Sequence, residues 1–340
     1  MKWFAKKVFE RREKIKAIRP IKSFLKILRR KHILPCKLPK TNTFIGSIIF
    51  VVVIYVIGVA FLDFVVTKVG IRNVLTRYSI VKNSLLYQET FDKIASMLVV
   101  YDVEVKNQPL EFIRLGRNND GGYVVPVAAL ESSDVLMGYG IGDDISFERA
   151  FSQYFDKTSF GFDCGVQNIE TGDSRCHFFS ECIGNSNHLM WDQVSSGQIY
   201  SFYDQLRRFG LIGKKIFVKM DIEGAEFDVI DDILKYAQQI TGIVLEVHTP
   251  EGDPIKTLNL LSSLSNDFVL VHLHGTNLAL NHFKTKYAKN SVPTVLELTY
   301  INKNLLSSYK ISKNQKHPQS IDQRDCINIP ECEFEILPIN

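Results

Sequence analysis

The amino-acid sequence predicts an α/β chain in which a mostly parallel sheet, covered by helices on both faces, follows a single transmembrane helix. Three observations predict it. An uncharged apolar run lies near the N-terminus, short apolar runs then alternate with amphipathic helical patterns, and glycines or acids stand directly after those runs. With 340 residues, 45% of them hydrophobic and 23% charged, the chain can bury a full core and falls outside the disordered range.

The first 43 residues form a basic tail: before Thr41 there are fifteen Lys or Arg against two acids, Glu10 and Glu13, although the whole chain carries a formal charge of only +4. Residues 44–66 follow, reading FIGSIIFVVVIYVIGVAFL from Phe44 to Leu62 and continuing through Phe64, Val65 and Val66, which is long enough to cross about 30 Å of hydrocarbon as a helix. A cleaved signal peptide fits poorly, because the basic region is too long and no small-x-small cleavage site follows. The basic cluster before the span outweighs the scattered Lys68, Arg72, Arg77 and Lys82 after it, so the N-terminus is expected in the cytoplasm and the domain across the membrane, in a lumen. Phe24, Leu25 and Leu28 could alternatively lay the tail on anionic lipid.

Residues 67–108 read as a linker and a packing helix, with Leu86, Phe91, Ile94, Ala95 and Leu98 on one face. The catalytic domain is expected over 109–310. Within it VLMGYGI is a buried strand, and Phe147, Ala150, Phe151, Tyr154 and Phe155 repeat at helical spacing. SFGFD, a helix around 200–209, KIFVKMD, a helix over 226–237, TGIVLEVH, DFVLVHLHG and TVLELTYIN complete the alternation. Residues 311–340, with His317, Pro318, Pro330 and Pro338 and little periodicity, read as an irregular tail.

The strongest local signal is Gly138-Tyr139-Gly140-Ile141-Gly142-Asp143-Asp144, between an apolar strand and a helix. Glycines there let the backbone approach a cofactor, and the helix start supplies free N–H donors. A nicotinamide fingerprint needs G-x-G-x-x-G; here the glycines stand at every second position and Asp143 takes the sixth place, where it would repel a diphosphate and suits an amino group or a ribose. Twenty residues on, Asp163 ends SFGFD, where a second strand offers a carboxylate to ribose hydroxyls; a turn former or helix cap is the plainer alternative. In KMDIEGAE, Asp221 and Glu223 fall on one face at the C-terminal edge of a strand, positions from which they could hold a cofactor, take a proton or bind a cation.

Together these residues resemble the FkbM family of class I methyltransferases. The likeness extends to the RLGRNNDGGYVVP block from Arg114, GYGIGDDISFE, LEVH ending at His248, HLHGTN ending at Asn277 and LELTY ending at Tyr300, and covers roughly 109–302. It implies a seven-stranded, Rossmann-like class I methyltransferase sheet that binds S-adenosyl-L-methionine over Gly138, Gly140 and Gly142, with the ribose near Asp163. It also implies adenine contacts from Glu181 or Ser180, Asp221 and Glu223 at the crevice, and usually O-methylation. Asp120 and Tyr123 become candidate pocket residues. His248 and His274, ending strands at the ligand edge, become candidate bases beside Asp221, with Asn277 orienting a hydroxylated acceptor such as a glycan.

No C-x-x-C pair supports a structural zinc site among the six cysteines, so the metal question stays open apart from Asp221 with a histidine. Cys176 with Cys182, and Cys326 with Cys332, could close loops in an oxidising compartment, idle thiols being the alternative. Nucleic acid is not expected as a partner, because the basic residues lie on the far side of the span. Among other classes, the fold kept as a binding protein without turnover stands next to the enzyme. No N-x-S/T sequon follows the span.

Overall fold

The computed structural model describes residues 87–184, 198–250 and 252–338. The basic tail and the expected span over 44–66 lie outside them; among the described residues no helix is long and apolar enough to cross a membrane.

Seven strands make the central sheet: β1 (Val135–Tyr139), β2 (Thr158–Phe162), β3 (Cys176–Phe179), β4 (Ile216–Met220), β5 (Ile240–His248), β6 (Phe268–Gly275) and β7 (Val295–Asn302). Their spatial order is β3-β2-β1-β4-β5-β7-β6. Six run parallel, and β7 lies antiparallel between β5 and β6. This is a mostly parallel α/β sheet of Rossmann-like type. It departs from the dinucleotide-binding order 3-2-1-4-5-6 by that one inserted strand.

Helices cover both faces. On one face lie α1 (residues 87–97), α4 (Phe202–Arg208), α5 (Glu226–Leu234) and α6 (Ile255–Asp267). Phe91, Ile94 and Ala95 of α1, at helical spacing, are buried in the core on that face, where the Phe91 ring stacks on Phe283 at 4.5 Å. On the other face lie α2 (Val127–Ser132), α3 (Ser146–Phe155) and the hairpin formed by Phe112–Gly116 and Gly122–Pro126. Local chemistry sets the helix ends. Ser201 caps α4 by accepting from the Asp204 N–H at 3.1 Å, Arg207 and Arg208 complement its last turn, Pro254 opens α6, and Asp156 closes α3 in the left-handed conformation.

The stretch expected to be irregular from residue 311 onward is built into the domain. Ser308–Ile311 pairs with Tyr101–Val105, Phe334–Ile336 pairs with Lys316–His317 and Ala288–Lys289, and Phe334 and Ile336 are buried in the core. Its anchors are single side chains, which leave no periodicity to read. Gln315, for example, accepts from the Val100 N–H at 3.0 Å and donates to the Val100 carbonyl at 2.7 Å. Among the described residues a disulfide joins Cys164 to Cys182, a pairing absent from the sequence expectation, while Cys176, Cys326 and Cys332 are free thiols. Residues 18 apart in sequence meet because both follow strands that end at the same edge of the sheet.

Candidate functional site

The parallel strands carry their following residues to one edge. Tyr139 pairs with Phe162 and with Met220, and Met220 with Leu245, so Gly140, Asp163, Asp221 and Glu246 come after neighbouring positions. The loop after β1 is pinned to its neighbours: the Gly140 N–H donates to the Phe162 carbonyl at 3.1 Å and the Asp221 N–H to the Tyr139 carbonyl at 3.0 Å. Gly140 has φ +74, and a Cβ there would collide with the Asp221 carbonyl; one at Gly138 would collide with the Glu148 carboxylate. Those two glycines are thus steric requirements of the strand-to-loop junction.

Two clefts open over this edge and share Gly140, Asp163, Asp221 and Glu223 in their walls. One, of ≈ 490 Å³, is lined by Ile183, Ile199, Ile222 and Val229 together with the Cys164–Cys182 disulfide. The other, of ≈ 700 Å³, holds the polar groups, among them Asp120, Tyr123, Lys219, Asp221, Glu246 and His248. Both volumes are in the range of small-molecule and cofactor sites.

Asp221 stands where the clefts meet. Its Oδ2 accepts from the Tyr123 hydroxyl at 2.9 Å, while its Oδ1, inaccessible to solvent, has no partner. Burial, then the Asp221 charge, holds the Tyr123 phenol well above its ordinary pKa, so it remains a donor. Lys219, buried beneath, donates to the Gly140 carbonyl at 2.7 Å and ties the glycine loop to β4. Glu148 is 1% exposed with neither carboxylate oxygen hydrogen-bonded, and burial raises it to about 7 against the pull of Lys219.

His248 is held by carboxylates. Glu226, fully buried at the start of α5, accepts from the His248 backbone N–H at 2.7 Å and lies 3.3 Å from its Nδ1. Nε2 lies 3.1 Å from Glu246 and 3.3 Å from Glu223. Burial pulls the imidazolium pKa down, but the hydrogen bonds to Glu226 and Glu246 outweigh it and bring it up to about 10. Glu246 moves up as well, through burial and the nearby charges of Asp221 and Glu297, so the pair retains a proton into the alkaline range. Asp221, Glu223 and His248 each turn one ligand atom to within 4.8 Å of the others, close enough to hold a divalent ion. The Glu223 backbone is left-handed at φ +55, a strained geometry of the kind that collects at functional sites.

The remaining sequence-derived candidates divide. Asp163 borders both clefts but turns its carboxylate to the backbone, accepting from Gly142 N–H at 2.8 Å and Gly165 N–H at 2.7 Å, which leaves further lone pairs for a hydroxyl. Gly142, Asp143 and Asp120 line the polar cleft, where Arg117 lies 3.7 Å from Asp143 and 3.9 Å from Asp120. Glu181 lines neither cleft; it is buried in an ion pair with Arg208. His274 and Asn277 also lie outside both. His274 is sandwiched between Glu297 at 3.0 Å and Glu331 at 2.7 Å, and Asn277 holds the Cys326 and Ile329 carbonyls at 2.9 Å. Burial lowers the His274 pKa, but its two carboxylates raise it to about 11, so their hydrogen bonds favour the imidazolium.

Glu246, Lys219, Glu226 and Glu148 belong to the site and were not singled out in the sequence. The first two carry a signal that alternation could have found: Lys219 is two residues from Asp221 and Glu246 two from His248, so each pair shares a strand face. Glu148 and Glu226 sit in the first turns of helices, where acids are ordinary, and only the fold turns them inward. Compared with protein-family models the chain matches none, and no curated protein matches it; the likeness to FkbM methyltransferases therefore rests on the residues quoted above.

Proposed function

We propose that the chain is a membrane-anchored methyltransferase that uses S-adenosyl-L-methionine and methylates a hydroxyl on a glycan or similar acceptor. The observation that carries this reading is the pair of clefts meeting at Gly140, Asp163, Asp221 and Glu223: one apolar, as an adenosyl group requires, the other rich in proton acceptors, as a hydroxylated acceptor requires. The antiparallel β7 and the alternate-glycine loop support it over a nicotinamide enzyme, whose sheet and fingerprint follow different patterns. The disulfide supports a lumenal, oxidising location for the domain.

Bound S-adenosylmethionine would supply a methyl group on a sulfonium, ready for in-line displacement. The residues suited to hold it are the Gly140–Gly142 backbone, Asp163, Ile183 and Ile222. Asp221, fixed by the Tyr123 hydrogen bond at the junction of the clefts, places its negative charge beside the acceptor and orients it. The nearby His248 is the base: Glu226 on Nδ1 sets its orientation, leaving Nε2 on the side of the acidic cleft.

Calorimetry of the full-length chain with S-adenosylmethionine and with NAD tests the cofactor. Heat with the first alone is expected; binding of NAD, or of neither, ends the reading. A screen for methylated products on hydroxylated acceptors then separates an enzyme from a protein that keeps the fold without turnover. Protease digestion of sealed vesicles tests the location, the domain being protected until detergent is added.

A further inference from the structure

Beyond the clefts, β6 and β7 carry a second charged cluster under the C-terminal segment. Glu297 stands opposite His274 in the strand register, both are buried, and Asp325 comes in from the C-terminal segment at 9% exposure. One ligand atom from each of His274, Glu297 and Asp325 lies within 4.8 Å of the other two. Asp325 Oδ2 is buried without a hydrogen-bond partner, and so is Glu331 Oε2. The charges nearby do not close the balance. Three carboxylates, those of Glu297, Asp325 and Glu331, stand against two cations, the His274 imidazolium and Arg114; Arg114 lends its charge to Glu297 and Asp325 but directs its N–H groups to the carbonyls of Arg117, Asn119 and Gly122. Buried carboxylates without compensation are costly, and an orphaned oxygen among them marks a missing partner.

We propose that His274, Glu297 and Asp325 bind a divalent transition-metal ion, zinc or manganese by donor type, which clamps the C-terminal segment onto the sheet. One nitrogen and carboxylate oxygens suit these ions, whereas calcium and magnesium prefer oxygen alone. The second ring nitrogen is already placed for the task. Nε2 of His274 is 2.7 Å from Glu331, the carboxylate that takes the other N–H of a ligating histidine and fixes its ring, while Nδ1 faces Glu297 at 3.0 Å. Ion binding displaces the Nδ1 proton to solvent, so the cluster gains one net positive charge among the carboxylates.

The test uses the full-length chain, stripped with EDTA and dialysed. Elemental analysis after adding zinc or manganese should find an ion that survives dialysis, thermal unfolding should move up by several degrees, and cobalt should give visible absorption bands indicating nitrogen and oxygen ligation. Asp325→Asn should lose the tightly held ion and the thermal shift. Asp221→Asn, in the cleft cluster, should keep both. The proposal is overturned if the wild-type chain holds no ion and gives no cobalt bands, or if the ion is lost in D221N and kept in D325N. Should D325N fail to fold, the wild-type cobalt spectrum with and without His274→Gln decides the matter, unchanged bands in that variant counting against the site.

Discussion

On one side of the sheet β4 turns Ile216, Val218 and Met220 into an apolar core with Leu245, Val247, Leu296 and Leu298; on the other it presents Phe217 and then Lys219. That second side begins apolar, with Leu136, Phe217 and Val244, and becomes charged toward the strand ends, with Glu246, Glu297, His272 and His274. The same seven strands thus carry two kinds of surface, and their alternation separates them residue by residue. Burying charge contributes little net stability, so the apolar side must supply the folding free energy that holds the charged edge in place.

The sharpest test of this division is Asp221→Asn. It keeps the volume and removes the charge that orients the acceptor at the cleft junction, so turnover should fall by about 10²-fold, the cost of lost positioning. The unfolding midpoint should change little, since Asn can still accept from the Tyr123 hydroxyl and the lost charge is one that repels Glu246. Turnover near the wild-type level would remove Asp221 from the chemistry and leave the charged edge without its central role.

His274→Ala probes the other end of the same edge. Removing the cation leaves Glu297 and Glu331 facing each other without it, and breaking such a buried pair costs about 3–5 kcal/mol. Chemical denaturation of EDTA-treated protein should show that loss, while the heat of cofactor binding per folded molecule stays as in the wild type. A variant of normal stability but without turnover would return His274 to the catalytic role the sequence suggested. On the apolar side, Leu245→Ala should cost about 2–5 kcal/mol by leaving a cavity, again with cofactor binding intact in the folded fraction. A midpoint unchanged within error would contradict the assignment of stability to that face.

The difference between these residues also explains what could be read from the sequence. The alternating αβ pattern, the glycine loop and the acids closing β2 and β4 are local signals, and each marks a strand end that the fold gathers at one edge. Two histidines ending strands, His248 and His274, look alike in sequence because each is the last or next-to-last residue of its strand. What separates them is the C-terminal segment: it brings Glu331 and Asp325 over His274 and leaves His248 open to the cleft. No periodicity foretells that covering, because Asn277, Gln315 and Phe334 hold the segment one contact at a time. The Cys164–Cys182 pairing was hidden for the same reason, since spacing along the chain says nothing of which loops meet.

The charged edge finally sets a dependence on pH that acts in opposite directions on stability and on turnover. Glu148 is raised to about 7 and Glu246 to about 8, both chiefly by burial. His248 is raised to about 10, its carboxylate hydrogen bonds overcoming burial. Each therefore binds its proton more tightly in the folded than in the unfolded chain. Their stabilising contributions are complete below their unfolded values, 4.5 for the glutamates and 6.5 for the histidine, and are lost as pH rises through the folded ones. Each such proton lowers stability by about 1.4 kcal/mol per pH unit within its own window, from 4.5 to about 7 for Glu148, from 4.5 to about 8 for Glu246 and from 6.5 to about 10 for His248. Turnover should run the other way, because His248 accepts a proton only when neutral, so the rate should climb through the His248 window toward pH 10. Paired profiles of unfolding midpoint and rate check both slopes. His248→Gln should flatten the rise in rate and moderate the fall in stability; a variant whose rate profile still climbs as the wild type does would place the base elsewhere on the edge.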